Sequence, residues 1–272
     1  MAVQYARPDM IVDLDKVVAE RSSGKKRVPR LLVWLLKKIT HIDYINSFLG
    51  IGYEGVEFCV ECIKYLNINL QVEGLENLPE KGRYTFVSNH PLGGIDGVAL
   101  GAIIGTRYDG HIRYLLNDLL MNVKGLAKLG VPINKLGGQS RELAKLIGDA
   151  FASDDQMIIF PAGQCSRKTN GVIQDREWGK ACVSFSTRSG RDIVPIHFVA
   201  QNSPRFYRID KICKLLHIKF NLPMLFLPSE LVRAKGSTFR VVIGQPIPCS
   251  HFDSSKSPAE WAAWLRAKAY EL

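Results

Sequence analysis

Residues 84–97 have the sequence Tyr84-Thr85-Phe86-Val87-Ser88-Asn89-His90-Pro91-Leu92-Gly93-Gly94-Ile95-Asp96-Gly97. The first five residues favour a β-strand, and helical spacing begins at Gly97. His90 therefore stands just beyond the end of a predicted strand, which is where α/β sheets bind their ligands. The glycines of the intervening turn allow the chain to fold Asp96 back towards the His90 ring.

The same alternation of β-rich runs and helical periods continues along the chain, from about residue 68 to residue 272, and is the pattern of an α/β fold. The predicted strands are Ile68–Val72, Tyr84–Ser88, Ile112–Leu116, Gln156–Phe160, Ile193–Val199 and Phe239–Ile243. The predicted helices are Gly97–Gly105, Asp118–Leu129, Arg141–Ser153 and Glu177–Ser189. A last helix is predicted to begin at Ser257-Pro258-Ala259-Glu260, a capping box with proline at the first helical position.

The portion of about residues 1–67 is predicted to be helical, and it is basic. Between residues 21 and 38 it has seven cations and no acid: Arg21, Lys25, Lys26, Arg27, Arg30, Lys37 and Lys38. Near them, apolar residues at helical spacing share one side: Leu32, Leu35, Leu36, Ile39, Ile42 and Phe48 or Leu49, with Trp34 near the boundary. This composition predicts a membrane-docking helix in the interface of an anionic leaflet. The alternative is a solvated basic loop followed by a core helix.

The composition of the whole chain narrows its class. With 272 residues, a net charge of +10, 46% hydrophobic and 23% charged residues, it is neither disordered nor a disulfide scaffold. No apolar run reaches the roughly 18 residues of a membrane span. The acidic first twenty residues argue against a secretory signal, so we expect a cytoplasmic protein. The basic segment contains a single aromatic residue, Trp34, and no nucleic-acid-binding motif, so we expect no nucleic-acid partner.

Two short motifs are interpreted as structural. Residues 50–55 fit GxGxxG, but no buried strand precedes them, so they predict a turn between helices. Cys59 and Cys62 form a CxxC inside a helical pattern, and no second pair of metal ligands occurs. These two cysteines therefore predict packing rather than metal or redox chemistry, and six cysteines in a chain of this length are too sparse for a disulfide framework.

The pair His90 and Asp96 is the first candidate for chemistry. An aspartate bonded to one ring nitrogen fixes the histidine tautomer and leaves the other nitrogen free to take a hydroxyl proton. The alternative is that His90 is a hydrogen-bonded turn residue and Asp96 a helix cap.

A second candidate is the loop that follows the predicted strand Gln156–Phe160, with the sequence Phe160-Pro161-Ala162-Gly163-Gln164-Cys165-Ser166-Arg167-Lys168. Backbone amides near Gly163, together with Arg167 and Lys168, are suited to hold a phosphate or an oxyanion. For the two cations, the alternative is an ordinary basic pair at the surface. A further strand-like exit, Gly130–Lys135, also ends in a cation. Pro195 in the strand Ile193–Val199 indicates a strand end or a sheet edge.

Four of these segments, in the order in which they occur along the chain, resemble the four sequence blocks of the glycerophospholipid and lyso-lipid acyltransferases. Asn89, His90 and Asp96 match the first block, Gly130–Lys135 approximates the second, Phe160–Ser166 the third and Val194–Ile196 the fourth. Five residues separate His90 from Asp96 instead of four, Ala162 stands for a glutamate, and Cys165 and Lys135 stand for arginines. These departures resemble the bacterial branch that O-acylates lyso-ornithine and lyso-glycine lipids. Asn202-Ser203-Pro204-Arg205-Phe206-Tyr207 also resembles that branch.

The resemblance implies a mixed central sheet flanked by helices, and direct acyl transfer from an acyl carrier protein or coenzyme A thioester to a lyso-lipid hydroxyl, at the cytoplasmic face of a membrane. His90 would be the base and Asp96 its orienting partner, without metal or resident cofactor. Substrate would be bound by Asn89, Lys135, Gly163, Arg167 and Lys168. Cys165 as a nucleophile is less favoured. A 1-acylglycerol-3-phosphate acyltransferase also fits the sequence, and so does a non-catalytic basic protein that binds lipid or nucleic acid.

Overall fold

A computed structural model describes residues 5–21, 28–117, 120–133, 141–218 and 221–272. Its strands are β1 Asn69–Glu73, β2 Tyr84–Ser88, β3 Ile112–Asn117, β4 Gly130–Ile133, β5 Gln156–Ile159, β6 Arg167–Thr169, β7 Val172–Gln174, β8 Asp192–Val199 and β9 Thr238–Ile243. Seven of them form the central sheet, in the order β1-β9-β8-β2-β5-β3-β4, and β6 and β7 form a separate hairpin.

The sheet is mixed, as the resemblance implied. Strand β2 pairs in parallel with β5 on one side and with β8 on the other, while β8 and β9 are antiparallel. Because β2 and β5 run side by side in the same direction, their carboxyl ends meet at one edge of the sheet. The two candidate segments of the sequence, which begin after Ser88 and after Ile159, therefore lie next to each other.

Helices cover both faces of the sheet. They are α1 Leu14–Arg21, α2 Arg30–Thr40, α3 Ile42–Leu49, α4 Gly55–Tyr65, α5 Ile95–Arg107, α6 Lys124–Ala127, α7 Arg141–Ala152, α8 Ala181–Ser189, α9 Pro204–Leu215, α10 Leu227–Arg233 and α11 Pro258–Glu271. Phe86 packs in the same core as α4 and α5, whereas its neighbour Val87 packs with α7, α8 and α11. Strand β2 is thus buried on both sides, and all five of its residues are buried, including Thr85 and Ser88. The capping box at Ser257 and Glu260 is formed as predicted.

The basic N-terminal segment is two helices rather than one continuous amphipathic helix. His41 takes a left-handed conformation, with φ of 50°, and separates α2 from α3. Phe48 and Leu49 of α3 join the main core, whereas Leu31 and Trp34 of α2 are exposed. Residues of α3 and α4 share one hydrophobic core with α5 of the α/β body. The division into two domains near residue 67 stays a prediction. Lys25, Lys26 and Arg27 lie outside the described residues.

Four further predictions have mixed outcomes. The turn 50–55 joins α3 to α4, and Cys59 and Cys62 are buried packing residues, both as expected. Burial raises the pKa of each thiol to about 12. Of the described residues in the helix predicted over 118–129, which are 120–129, only Lys124–Ala127 is α-helical and Leu120–Asn122 is a 3-10 turn. None of the helices in the described ranges is long and apolar enough to cross a lipid bilayer.

Gly101 tests how tightly α4 packs on α5. A Cβ atom at this position would lie 2.4 Å from the Tyr114 hydroxyl and 2.6 Å from Cys59 Sγ. We expect Gly101→Ala to lower the free energy of unfolding by about 1–3 kcal/mol, because both neighbours are buried. Gly148→Ala on the exposed side of α7 is the matched control, and should gain up to about 1 kcal/mol from helix propensity alone. Urea titrations measure both, and equal stabilities would contradict the described packing.

Candidate active site

The turn after β2 brings His90 and Asp96 together. His90 Nδ1 lies 2.9 Å from Asp96 Oδ2, and the Asp96 side chain is fully buried at the start of α5. The carboxylate also accepts four backbone N–H groups, those of Leu92, Gly93, Gly94 and Gly97. The turn that presents these amides needs Gly93 in a left-handed conformation, with φ of +76°.

The charge of Asp96 follows from these contacts. Burial acts to raise its pKa, but the neighbouring His90 and the donated hydrogen bonds outweigh burial, so the pKa lies below its usual value. An ionised Asp96 only accepts hydrogen bonds, and Nδ1 of His90 therefore carries the proton in this contact. Nε2 is left as the acceptor of the neutral ring, which is the arrangement of a general base.

The ring of His90 is held between this contact and an aromatic neighbour. It stacks on Phe160, the first residue after β5, with ring centroids 4.1 Å apart and an angle of 26° between the planes. The His90 side chain keeps 16% of its surface exposed, so the site is open to solvent on one side. Asp96 is the second residue of α5 rather than its N-cap, which is Gly94. The same carboxylate contacts the turn amides and the imidazole, and its role in catalysis stays a prediction.

The backbone of His90 is fixed from the neighbouring loop. Its N–H donates to the Asp175 carboxylate at 3.2 Å, and its carbonyl accepts from the Ser166 amide at 2.8 Å. The next residue, Pro91, has its carbonyl bonded by the Asn202 side chain at 3.1 Å. The segments 160–168 and 202–207, which the sequence indicated separately, therefore both meet the His90 turn directly.

Asp175 is a residue of this site that the sequence analysis missed. Its buried carboxylate accepts from Ser166 Oγ at 2.6 Å and from Trp178 Nε1 at 3.0 Å, besides the His90 amide. Its own amide donates to the Tyr270 hydroxyl of α11 at 2.8 Å. Burial raises the pKa of Asp175, although its hydrogen bonds act to lower it. No local sequence pattern indicates a role for Asp175, because its hydrogen-bond partners other than Trp178 are brought to it only by the tertiary fold.

The predicted substrate-binding residues have different surroundings. Asn89 is buried, and its side chain exchanges two hydrogen bonds with the Phe198 backbone of β8, at 2.7 and 2.9 Å. Gly163 has φ of +65°, and its N–H donates to the Phe160 carbonyl inside the turn. Lys168 is exposed on β6, and Lys135 lies outside the described residues. The structure shows a structural role for Asn89, and its substrate contact stays a prediction.

Arg167 is buried rather than part of a basic surface pair. Its guanidinium forms an ion pair with Asp210 at 3.1 Å, lies over the Phe206 ring at 4.9 Å and donates to Asn221. The alternative of a surface pair is therefore wrong for this residue. The ion pair of Arg167 with Asp210 links the 160–168 loop to α9. A contact between Arg167 and an anionic substrate stays a prediction.

Cys165 is held as a thiol. It is buried beside Arg167, whose Nη1 donates to its Sγ at 2.7 Å, and burial raises its pKa despite that cation. A thiol needs ionisation to act as a nucleophile, so these surroundings disfavour an acyl-enzyme at this position.

A histidine at the carboxyl end of a sheet strand, bonded through one ring nitrogen to an aspartate at the start of the following helix, is an arrangement suited to enzymes that activate a hydroxyl group. The comparisons with known proteins make this specific. The family described as Acyltransferase matches residues 16–272, and the chain belongs to this family. It is an acyltransferase, as the resemblance of its sequence blocks implied.

Two relatives cover almost the whole chain. A lyso-glycine lipid O-acyltransferase from Bacteroides thetaiotaomicron is 49% identical over 265 residues, which are 96% of this chain and 97% of the relative. One of the same description from Phocaeicola vulgatus is 48% identical, over 96% of this chain and 95% of the relative. The crystal structure of the 1-acyl-sn-glycerophosphate (LPA) acyltransferase PlsC from Thermotoga maritima shares the fold. It has a TM-score of 0.50, 15% identity, and coverage of 94% of this chain and 87% of that one.

The contacts of Asp175 predict the effect of one substitution. In Asp175→Asn an NH₂ group replaces one acceptor oxygen, so at least one of the buried donors that face it loses its partner. We expect the free energy of unfolding to fall by about 1–3 kcal/mol. The exposed residue Asp154 supplies the control, since Asp154→Asn should change stability by less than about 0.5 kcal/mol. Urea unfolding of both variants is the measurement, and an unchanged midpoint for Asp175→Asn would show that the carboxylate does not hold the turn.

Proposed function

We propose that this protein is a lyso-lipid O-acyltransferase whose acceptor is a lyso-aminolipid, with lyso-glycine lipid as the first choice. The observation that carries the proposal is full-length identity of 49% and 48% to two lyso-glycine lipid O-acyltransferases. The His90–Asp96 pair supplies chemistry suited to that reaction. The alternative acceptor is a 1-acylglycerol-3-phosphate, in line with the described activity of the Thermotoga maritima enzyme that shares the fold.

In the proposed reaction, Nε2 of His90 takes the proton of the lipid hydroxyl as its oxygen attacks the carbonyl carbon of an acyl thioester. This attack forms the new C–O bond and gives a tetrahedral intermediate, whose collapse restores the carbonyl and breaks the C–S bond. The thiolate leaves with the proton that His90 took. Asp96, held ionised by His90 and four amides, stabilises the imidazolium between these steps.

The oxyanion of the intermediate needs donors close to His90. The 160–168 loop is the proposed source, because Ser166 bonds to the His90 carbonyl and Phe160 stacks on the ring. The Gly163 amide would serve only by giving up its bond to Phe160, and Lys135 is the proposed cationic alternative. Lys168, exposed on β6, is proposed to contact the anionic head group or the acyl carrier protein. Acyl carrier protein and coenzyme A are the proposed thioester carriers, with no resident cofactor.

The proposed location is the surface of a membrane at its cytoplasmic face. Helix α2 exposes Leu31, Trp34 and Leu35, and ends in Lys37 and Lys38. It packs against the 222–226 turn and α10, whose first residue, Leu227, lies against Gly93 of the active-site turn. A lipid surface that binds α2 would thus lie near the side of the protein on which a lipid acceptor has to reach His90.

His90→Ala tests the proposed base. We expect acyl transfer to fall about 10²–10⁴-fold, since no other group in the described site can take the hydroxyl proton from the same position. His111 is the matched control, because it also pairs with an aspartate, Asp155, but is exposed before β3. His111→Ala should keep its rate within about two-fold. Transfer that survives His90→Ala would contradict the dyad.

The acceptor is tested with a panel of lyso-glycine lipid, lyso-ornithine lipid and lysophosphatidic acid. Each is offered with acyl carrier protein and with coenzyme A thioesters, in the presence of vesicles. We expect His90-dependent product with lyso-glycine lipid at the highest kcat/KM. Product with lysophosphatidic acid alone would support the alternative acceptor, and no product with any of them would contradict the proposed lyso-lipid acceptor.

The double variant Leu31→Ser/Trp34→Ser tests the docking of α2. We expect its affinity for vesicles of phosphatidylcholine and phosphatidylglycerol to fall about ten-fold or more, because two large apolar groups no longer enter the interface. Leu75→Ser/Leu146→Ser removes two exposed apolar side chains elsewhere and should leave the affinity unchanged. Co-sedimentation measures both, and equal binding would mean that α2 does not contact lipid.

A further inference from the structure

The end of helix α9 exposes a second group of large apolar side chains. Its first turns are packed, since Phe206 and Tyr207 are buried beside the 160–168 loop. In the last turn and the residues after it Cys213 is buried, but Ile212, Leu215, Leu216 and Ile218 are exposed. Leu215 is 74% exposed and Leu216 62% exposed, which are fractions like those of Leu31 and Trp34 in α2. We call these four residues the α9 patch.

The α9 patch and α2 are joined by one segment. The turn Leu222–Phe226 contacts both α9 and α2. This turn contributes four further half-buried apolar residues, Leu222, Met224, Leu225 and Phe226. The two helices that carry the exposed side chains therefore share one apolar segment as a neighbour. That segment leads directly into α10, whose Leu227 lies against the His90 turn.

The charge around the α9 patch favours one kind of partner. Helix α9 carries four exposed cations, Arg205, Arg208, Lys211 and Lys214. Its one acid, Asp210, is buried and paired with Arg167 and Lys214, at 3.1 and 2.7 Å. An apolar patch with a positive border fits the anionic head groups of a membrane. A second copy of this chain would bring the same positive border, and the two would repel.

We propose that the α9 patch is a second membrane-binding point, which acts together with α2 to set the orientation of the protein on an anionic lipid surface. Two points joined by a rigid segment bind more tightly than either alone, because the second contact forms at high effective concentration. Two points also restrict rotation about α2, and so hold the His90 side of the protein at the lipid. Membrane binding by the α9 patch requires neither acyl donor nor acceptor, so it can be tested independently of the proposed reaction.

The test is vesicle binding by the full chain carrying Leu215→Ser/Leu216→Ser, without substrate. We expect affinity for phosphatidylcholine–phosphatidylglycerol vesicles to fall about ten-fold, because both side chains leave the interface. Leu75→Ser/Leu146→Ser is the matched control and should bind like the wild type. Thermal unfolding checks that each variant is folded, as substitutions at exposed positions should allow. Unchanged affinity of the folded Leu215→Ser/Leu216→Ser variant would overturn the proposal.

A charge variant tests the same surface in another way. Lys211→Glu should weaken binding to the anionic vesicles several-fold and leave the small affinity for pure phosphatidylcholine vesicles unchanged. Size-exclusion chromatography with light scattering tests for a protein partner. If Leu215→Ser/Leu216→Ser converts a dimer to a monomer and leaves vesicle binding intact, the patch is an interface between copies and the proposal is wrong.

Discussion

The buried carboxylate of Asp96 is the constraint on which the active site depends. A charged group with no exposed surface is stable only if hydrogen bonds replace its water shell, and here four amides and one imidazole do so. To present those amides, the turn after β2 has to curl around the start of α5, with Gly93 at positive φ. The same curl places His90 Nδ1 against the carboxylate. The shape of the turn, the start of α5 and the tautomer of His90 therefore all follow from the need to hydrogen-bond the buried Asp96 carboxylate.

The rest of the sheet edge keeps that turn in place. Asn89, one residue before His90, exchanges hydrogen bonds with the backbone of Phe198 in β8. The Asp175 carboxylate accepts a hydrogen bond from the His90 backbone N–H. These contacts fix the backbone on either side of the imidazole, while Phe160 after β5 packs on the ring. The two strands that flank β2 and the residue that follows the β6-β7 hairpin thus each supply one restraint. An imidazole held in this way would need little rearrangement to take a hydroxyl proton in the proposed reaction.

The parts of the fold that the sequence predicted correctly are those that depend on residues close together in the chain. Strand β2 has the predicted bounds, Tyr84–Ser88. The two glycines indicated that Asp96 could fold back to the His90 ring, but the spacing alone left open the alternative of a turn residue and a helix cap, and the structure shows the contact. Asp175 and the burial of Arg167 were missed because their partners, such as Tyr270 and Asp210, are set by tertiary contacts. Pro195 was expected at a strand end or a sheet edge, yet it lies inside β8, which is placed between β9 and β2. It is tolerated there because the ladder is irregular beside it: Ile193 exchanges hydrogen bonds with Ile247, and Gly244 donates to the Pro195 carbonyl.

The exposed apolar side chains of α2 and α9 have no such internal explanation, because the hydrophobic cores close without them. Large apolar groups clustered at the surface are unfavourable in water, and such clusters mark sites of contact with another phase or molecule. Helices α2 and α9 both contact the Leu222–Phe226 turn, which leads into α10 and so to the His90 turn. An enzyme that takes one substrate from a lipid layer and another from water would gain from this placement. In the proposed mechanism the side chains of α2 and α9 set the orientation at the lipid surface, while the His90–Asp96 pair transfers the proton.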